Sequence, residues 1–308
     1  MQIFDSINER QTIMWKSDNW KDYELIDASD GERLERWGET VLIRPDPQVV
    51  WKSEKKNPLW RNCGARYIRS SKGGGSWDVK SISPKRMEDG WKISYGSLSF
   101  KVKPTGFKHT GVFPEQAVNW DFVGEKIRDA GRDISVINLF GYTGCATMAC
   151  AKAGASVCHV DASKGMVAWA RENASLSGLS DAPIRYIVDD CKKFLEREIR
   201  RGRRYDGLIM DPPSYGRGPS GEIWKLEDGI DELIELALRV LSDNPLFVIV
   251  NSYTTGLSAS TVGCLLELRM RELSLAGKVT SDEIGIPITE SGLVLPAGAT
   301  ARWENTKA

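Results

Sequence analysis

From about residue 114 onward, short apolar runs alternate with longer stretches of helical period, and this constrains the chain more than any other feature. Residues 134–139, 156–160, 184–188, 206–210 and 246–250 read as buried strands. Residues 143–153, 163–177, 191–200, 227–241 and 260–276 read as the helices between and after them. An earlier helix opens at Pro114, since proline suits a first helical position, and sets Ala117, Trp120, Val123 and Ile127 near a 3.6 period. Two tail stretches, 278–288 and 292–302, suggest a hairpin. Such alternation implies an α/β, Rossmann-like layer: a mainly parallel sheet with helices on both faces. Its ligand is expected beyond the carboxyl ends of the strands, where the strand order reverses.

The first hundred residues have a different texture. They hold seven of the eleven tryptophans and short apolar alternations, as at 39–44 and 91–102, punctuated by Pro45-Asp-Pro47, Gly73-Gly-Gly75 and Asp89-Gly90. This predicts a small, mostly β domain over 1–104 ahead of an α/β domain over 105–308, with the triple glycine at a hairpin tip. No run of eighteen apolar residues and no signal-peptide pattern occurs, so a membrane span is not expected. Six scattered cysteines without a C-x-x-C pair, and only two histidines, point to a reducing cytoplasm, with neither disulfides nor a metal site. Net charge is zero, which excludes an indiscriminate polyanion binder. The charge is uneven, however. Residues 44–103 carry 14 Lys/Arg and 5 Asp/Glu, an excess of +9, while residues 1–43 carry 5 and 10, an excess of −5.

Two motifs about seventy residues apart carry the chemistry. In Asn138-Leu-Phe140-Gly141-Tyr-Thr143-Gly144, after the first apolar run, two glycines let backbone approach a ligand closely. Twenty residues beyond Gly141, the next strand ends in Asp161-Ala162-Ser163, an acid placed to accept ribose hydroxyls. The third strand ends in Asp189-Asp190-Cys191, where a carboxylate can accept an adenine amino group or cap the following helix. Three polar strand ends on one edge predict a nucleoside site. NAD is the less favoured ligand, because the turn is not a G-x-G-x-x-G and Ala146 follows Cys145. The second motif is Asp211-Pro212-Pro213-Ser214-Tyr215. Two prolines fix the backbone and donate nothing. The carbonyls of Asp211 and Pro212 are then free to accept from a substrate amine or ring, and Tyr215 offers a stacking face. Downstream, 217–221 is a glycine-rich candidate lid, and Arg217 and Lys225 are candidate phosphate contacts.

The glycine turn, Asp161, Asp190, Asp-Pro-Pro-Ser-Tyr and the terminal hairpin, in this order over about 105–303, resemble class I S-adenosylmethionine (SAM)-dependent methyltransferases, with a seven-stranded sheet. Within that class, Phe107-Lys-His-Thr110-Gly-Val-Phe113-Pro-Glu115-Gln116 resembles a cofactor-bordering segment of bacterial 23S rRNA methyltransferases of the large-subunit I and K type. Glu115 stands where that group usually has Asp. Asp211-Pro-Pro-Ser-Tyr is similar to the K-type Asp-Pro-Pro-Thr-Phe. The resemblance implies SAM as cofactor, S-adenosylhomocysteine as product, and no metal. It implies cofactor contacts from Thr110, Phe113, Glu115, Gln116, Asn138, Phe140, Gly141, Thr143, Gly144, Asp161, Ala162, Ser163, Asp190, Cys191 and Asp211. Catalytic roles fall to Asp211, Pro212 and Tyr215, and substrate contacts to Ser214, Arg217, Lys225 and Tyr253.

Methyl transfer from a sulfonium asks for orientation and electrostatics. A pyrimidine carbon-5 acceptor also needs a cysteine thiolate in the pocket. Asp-Pro-Pro-Ser and Val250-Asn251-Ser-Tyr253 carry none at the pocket strand ends, unlike the I-type enzymes, which favours a nitrogen acceptor. Ribosomal or other structured RNA is the expected substrate: the +9 segment interleaves basic residues with Trp51, Trp60, Tyr67, Trp77, Trp91 and Tyr95, which either stack bases or fill the small domain's core. A small-molecule or protein methyltransferase, or a non-catalytic SAM- or RNA-binding protein, are the alternatives. Homo-oligomerisation is left open.

Overall fold

A computed structural model describes residues 14–70, 74–217, 223–254 and 256–306. In chain order its strands are β1 (Trp15–Lys16), β2 (Tyr23–Ser29), β3 (Glu32–Trp37), β4 (Thr40–Pro45), β5 (Ala65–Arg69), β6 (Gly75–Val79), β7 (Trp91–Tyr95), β8 (Leu98–Val102), β9 (Ser135–Leu139), β10 (Ser156–Asp161), β11 (Ile184–Val188), β12 (Gly207–Met210), β13 (Tyr215–Arg217), β14 (Ile223–Lys225), β15 (Phe247–Ser252), β16 (Gly277–Pro287) and β17 (Val294–Asn305). The α-helices are α1 (Pro84–Asp89), α2 (Ala117–Asp129), α3 (Cys145–Lys152), α4 (Lys164–Leu176), α5 (Cys191–Arg200), α6 (Leu226–Leu238) and α7 (Ala259–Glu272).

The large sheet runs β1-β16-β17-β15-β12-β9-β10-β11. Strands β15, β12, β9, β10 and β11 are parallel, and β17 is antiparallel to both β15 and β16. The terminal hairpin thus lies at one side of a parallel core. The sheet has eight strands where seven were expected, because Trp15 and Lys16 pair in parallel with Ile284 and Gly285. The central strands are buried on both faces, which is why they read as continuous apolar runs. Side chains alternate between two cores. Val136, Ile209 and Ile249 join one, against α2, α3 and the small β region; Ile137, Leu208 and Val248 join the other, under α5, α6 and α7. Pro114 opens a 3-10 turn, Pro114–Gln116, that feeds α2, so the α-helix itself starts three residues later than expected.

The N-terminal part is mostly β, with a five-stranded sheet β2-β3-β4-β5-β6 and a hairpin β7-β8. The hairpin docks on α4 through its free edge: Asn173 accepts from Lys101 N–H at 2.8 Å, and the Ser177 hydroxyl accepts from Ser99 N–H at 3.0 Å. Of the triple glycine, Gly75 opens β6 and pairs with Arg69 of β5, and Gly73 falls outside the described residues. The tryptophans act as staples. Trp51, Trp60, Trp77 and Trp91 donate their indole N–H to Ala28 O, Asp27 Oδ2, Thr105 O and Trp37 O. Anchored in this way, these rings belong to the framework of the small region, the second of the two roles the sequence left open. Part of the charge asymmetry is offset within the fold. Asp30 pairs with Lys52, Glu32 with Lys55 and Arg66, and Glu35 with Arg44, so acids of 1–43 meet four of the bases of 44–103. No helix among the described residues is long and apolar enough to cross a membrane.

Candidate active site

The strand order turns at β9: β10 and β11 lie on one side, β12 and β15 on the other. Register puts Leu139, Val160, Met210 and Val250 in one row across four parallel strands. The next residue of each strand, Phe140, Asp161, Asp211 and Asn251, therefore stands at the same level, Phe140 and Asp211 just past their strands and Asp161 and Asn251 near the ends of theirs. A crevice opens there. It is lined by Phe113, Gln116, Asn138, Phe140, Gly141, Thr143, Gly144 and Asp211 among the expected residues.

The glycine turn is held in an unusual shape. Phe140, Tyr142 and Gly144 have φ of 56°, 51° and 83°, the left-handed region that non-glycine residues enter at a cost. Gly141 has no room for a side chain: a Cβ there would lie 2.4 Å from Cε1 of His159. His159 is itself pinned from below. Asn138 donates to the Thr147 hydroxyl at 2.9 Å, and Thr147 shares a 2.9 Å hydrogen bond with His159 Nδ1. Burial holds this imidazole down to about 4, so it is neutral near pH 7. Asp161 closes the turn from the side, accepting Tyr142 N–H and Ser163 N–H at 2.8 Å each. Each carboxylate oxygen keeps further acceptor capacity. Ser163 caps α4 and Asp190 caps α5, its Oδ1 accepting Lys193 N–H at 3.0 Å. Asp190 is exposed, Ala162 is exposed between Asp161 and the α4 cap, and Cys191 is buried at the start of α5.

Acidic and aromatic residues gather beside Phe113, Gln116 and Asp211 of the lining, with Glu115 and Tyr253 behind it. Glu115 is buried, and its Oε2 has no hydrogen-bond partner among the described residues. Burial pushes the Glu115 carboxyl above the usual range despite the charges of Arg33 and Arg44. Asp211 is pushed up to about 7, by burial first and then by the Glu115 charge. Tyr253 packs tilted against Phe113 at 5.8 Å, and its hydroxyl accepts from Gln116 Nε2 at 2.8 Å. Behind it, Asn119 donates to Gln116 Oε1 at 2.8 Å and to Asn251 Oδ1 at 3.1 Å, and accepts from Arg302 Nε at 2.8 Å. This network ties the 3-10 turn to β15 and β17.

The Asp-Pro-Pro-Ser-Tyr segment runs into the β13-β14 hairpin, whose tip, 218–222, lies outside the described residues, as does the Arg217 side chain. Pro213 O accepts the indole N–H of Trp224 at 2.8 Å, and Ser214 O accepts Leu226 N–H at 3.1 Å. These bonds occupy the carbonyls after Pro212. Tyr215 is 52% exposed and pairs across the hairpin with Lys225, which is exposed. Thr110 is buried, and its hydroxyl has no hydrogen-bond partner among the described residues. Sequence reasoning missed several crevice residues: Gly111, Asn119, Trp120, Tyr142, Cys145, Ala146 and Ile209. Cys145 matters chemically. It is the first residue of α3, where a helix end favours thiolate, yet burial pushes its thiol up to about 12. Cys191 is likewise pushed up to about 12.

The residues present fit SAM. The unpaired, buried Glu115 oxygen suits a cationic ligand, Asp161 keeps acceptor capacity for a diol, and the Thr110 hydroxyl awaits a polar partner. Relatives agree. A profile of S-adenosylmethionine-dependent methyltransferases matches residues 64–237. The crystal structure of a SAM-dependent methyltransferase from Agrobacterium tumefaciens is 36% identical, with a TM-score of 0.87, covering 95% of this chain and 93% of that one. A ribosomal RNA large subunit methyltransferase K/L from Shewanella frigidimarina is 32% identical over 265 residues, 80% of this chain. The chain spans only 36% of that relative's length. The M. jannaschii tRNA m1G37 methyltransferase shares the fold, at 11% identity and a TM-score of 0.53, over 99% of this chain and 76% of that one. With a glycine turn, a strand-end acid and an Asp-Pro-Pro segment meeting where the strand order reverses, and with a family match over more than half its length, the chain belongs to the S-adenosylmethionine-dependent methyltransferases.

Proposed function

We propose that this chain transfers the methyl group of SAM to a nitrogen of an RNA base, with ribosomal RNA as the substrate, in the cytoplasm. The observation that carries the nitrogen assignment is Asp211: a carboxyl pushed up to about 7, beside buried Glu115, at the reversal of strand order. A group with that pKa accepts a hydrogen bond from a base N–H and holds its proton as the new bond forms. When bound, SAM supplies a methyl group already activated by its sulfonium. The chain's residues bind, orient and exclude water. In this reading Asp161 holds the ribose, Glu115 and Gln116 face the cationic end, Phe113 and Tyr253 wall the methyl path, and Tyr215 stacks on the base. Thiols pushed up to about 12 at Cys145 and Cys191 do not supply the thiolate that a pyrimidine carbon would require.

RNA as substrate is supported by the K/L relative, whose name states ribosomal RNA, with the limited coverage already noted. Residues 1–104 would give substrate surface and 105–308 the transferase, although β1 joins the transferase sheet. A second reading, a small-molecule or protein acceptor, is favoured by ion pairs that offset part of the local basic excess. Mass mapping of rRNA from a deletion strain decides between them. One base should lose a methyl group and regain it on complementation. An unchanged modification profile would refute the RNA assignment.

A further inference from the structure

The tryptophans that looked available for base stacking are anchored, but another ring is presented to solvent. Phe107 is 68% exposed; among the described residues only Tyr215 joins it as an aromatic ring more than half exposed. Phe107 does not sit on a loose loop. Lys103 N–H donates to Thr110 O at 2.9 Å, and Thr105 N–H to His109 O at 3.2 Å. Inside the turn, the Thr105 hydroxyl donates to His109 O at 2.9 Å and accepts from Phe107 N–H at 3.3 Å. From outside, Trp77 Nε1 donates to Thr105 O at 2.8 Å, the Tyr67 hydroxyl to Gly106 O at 3.4 Å, and Arg44 Nη1 to Lys108 O at 3.1 Å. The small sheet therefore builds a turn that holds an apolar ring out in water, with no packing gain to the fold.

The next residue carries the complementary charge. Lys108 is half-buried, with Nζ 3.4 Å from Pro45 O. Burial, then Arg44, Arg33 and Arg69, hold its ammonium below the usual lysine range despite Asp46. An anion set beside this ammonium would favour its charged form. Arg69 is exposed and makes no ion pair among the described residues. Four residues beyond Phe107, Gly111 lines the crevice together with Asp211. Four residues of extended chain reach at most about 14 Å, so Phe107 lies within that distance of the crevice lining at Gly111. His109 and Tyr142 each lie 5.4 Å from the Phe113 ring, so aromatic rings run from the turn that carries Phe107 to the glycine turn.

We propose that Phe107, Lys108 and Arg69 form a second nucleotide subsite at the mouth of the crevice. The ring stacks on an unpaired base flanking the one that is methylated, and the two cations take its phosphate. This subsite rests on the RNA reading above, and it specifies that the RNA is single-stranded next to the target, because stacking needs a free base face. Stacking of this kind is sequence-tolerant, so the subsite adds affinity and register without selecting a base.

The test uses the full chain and fluorescence anisotropy with a short, mixed-sequence single-stranded RNA and its duplex, across a salt titration, with SAM calorimetry alongside. Phe107→Ala should weaken single-strand binding by roughly 5- to 160-fold, leaving the salt slope and SAM affinity at wild-type values. Phe107→Tyr should restore binding. Lys108→Gln should lower the salt slope by about 0.7. Wild-type RNA affinity in Phe107→Ala, a tyrosine variant as weak as the alanine one, or equal preference for duplex would overturn the subsite while the RNA reading stands. A wild-type chain that binds SAM but neither RNA would overturn both.

Discussion

Asp161→Ala removes two acceptors from the part of the site under most strain. Oδ2 holds Tyr142 N–H and Oδ1 holds Ser163 N–H, each at 2.8 Å. Hydrogen bonds to a charged group contribute about 1.5–3 kcal/mol each. Asp161 is half-buried, so the lower end applies, about 3 kcal/mol for the pair before water replaces part of it. The Tyr142 bond also clamps backbone at φ 51°, next to Phe140 at 56°. Such residues store roughly 1 kcal/mol or more each, which is released if the turn relaxes. Losing the clamp therefore lowers stability by about 1 kcal/mol net, a fall in melting temperature of roughly 1–2 °C for a chain of 308 residues. It also deprives SAM of a carboxylate acceptor and of a preformed turn, and a loss of about 2 kcal/mol corresponds to a roughly 30-fold weaker Kd. Asp161→Asn keeps the volume and one acceptor but sets an amide donor against a backbone donor, so it should fall between wild type and alanine. Isothermal titration with SAM and differential scanning calorimetry read both effects. A lowered melting temperature with wild-type SAM affinity would refute the cofactor role and leave Asp161 as a builder of the turn alone.

Asp211→Ala should keep SAM binding and lose turnover on the RNA substrate; retained turnover would remove Asp211 from the chemistry. With Asp211 pushed up to about 7 from 3.8, kcat/KM should rise with pH and level off above about 7, and Glu115→Gln should move that limb to lower pH by removing the neighbouring charge. The sign for stability is opposite: the folded chain binds the extra proton, so this contribution is fully present below about 3.8 and is lost as pH rises through about 7. A flat profile, or a limb unmoved in Glu115→Gln, would break the Glu115–Asp211 coupling. Cys145→Ser should retain most turnover; complete loss would point to covalent pyrimidine chemistry.

The α/β half was legible because burial on both faces writes continuous apolar runs, and because its turns need glycine and proline at fixed places. Val136, Ile209 and Ile249 face one core while Ile137, Leu208 and Val248 face the other, so both phases of the alternation had to be apolar. Position 141 had to be glycine because His159 fills the space beneath it. What could not be read was pairing between distant segments. Nothing in the local sequence marks Trp15–Lys16 as a partner for β16, some 270 residues away. The excess of +9 over 44–103 looked like a polyanion surface, yet the fold sets Glu35 of β3 against Arg44 of β4, and Glu32 of β3 against Lys55 and against Arg66 of β5.

The same distinction explains the site. Residues at strand ends announce themselves, since an acid or a Pro-Pro that stops an apolar run is a local signal: Asp161, Asp190 and Asp211 are of this kind. The groups that set their chemistry carry no such mark. Glu115 reaches Asp211 across 96 positions of sequence, and Arg33 and Arg44 moderate Glu115 from the small sheet. Asn119 reads as one polar residue on an amphipathic helix, yet it bonds Gln116, Asn251 and Arg302 at once. In the sequence Phe107 is one more apolar residue; its exposure follows from a turn held by Thr105 within and by Trp77, Tyr67 and Arg44 from the neighbouring sheet. The small β region thus acts on the transferase crevice in two ways, by the field of buried arginines and by the shape of one turn. Both follow from docking two layers together, and neither is a property of any single segment.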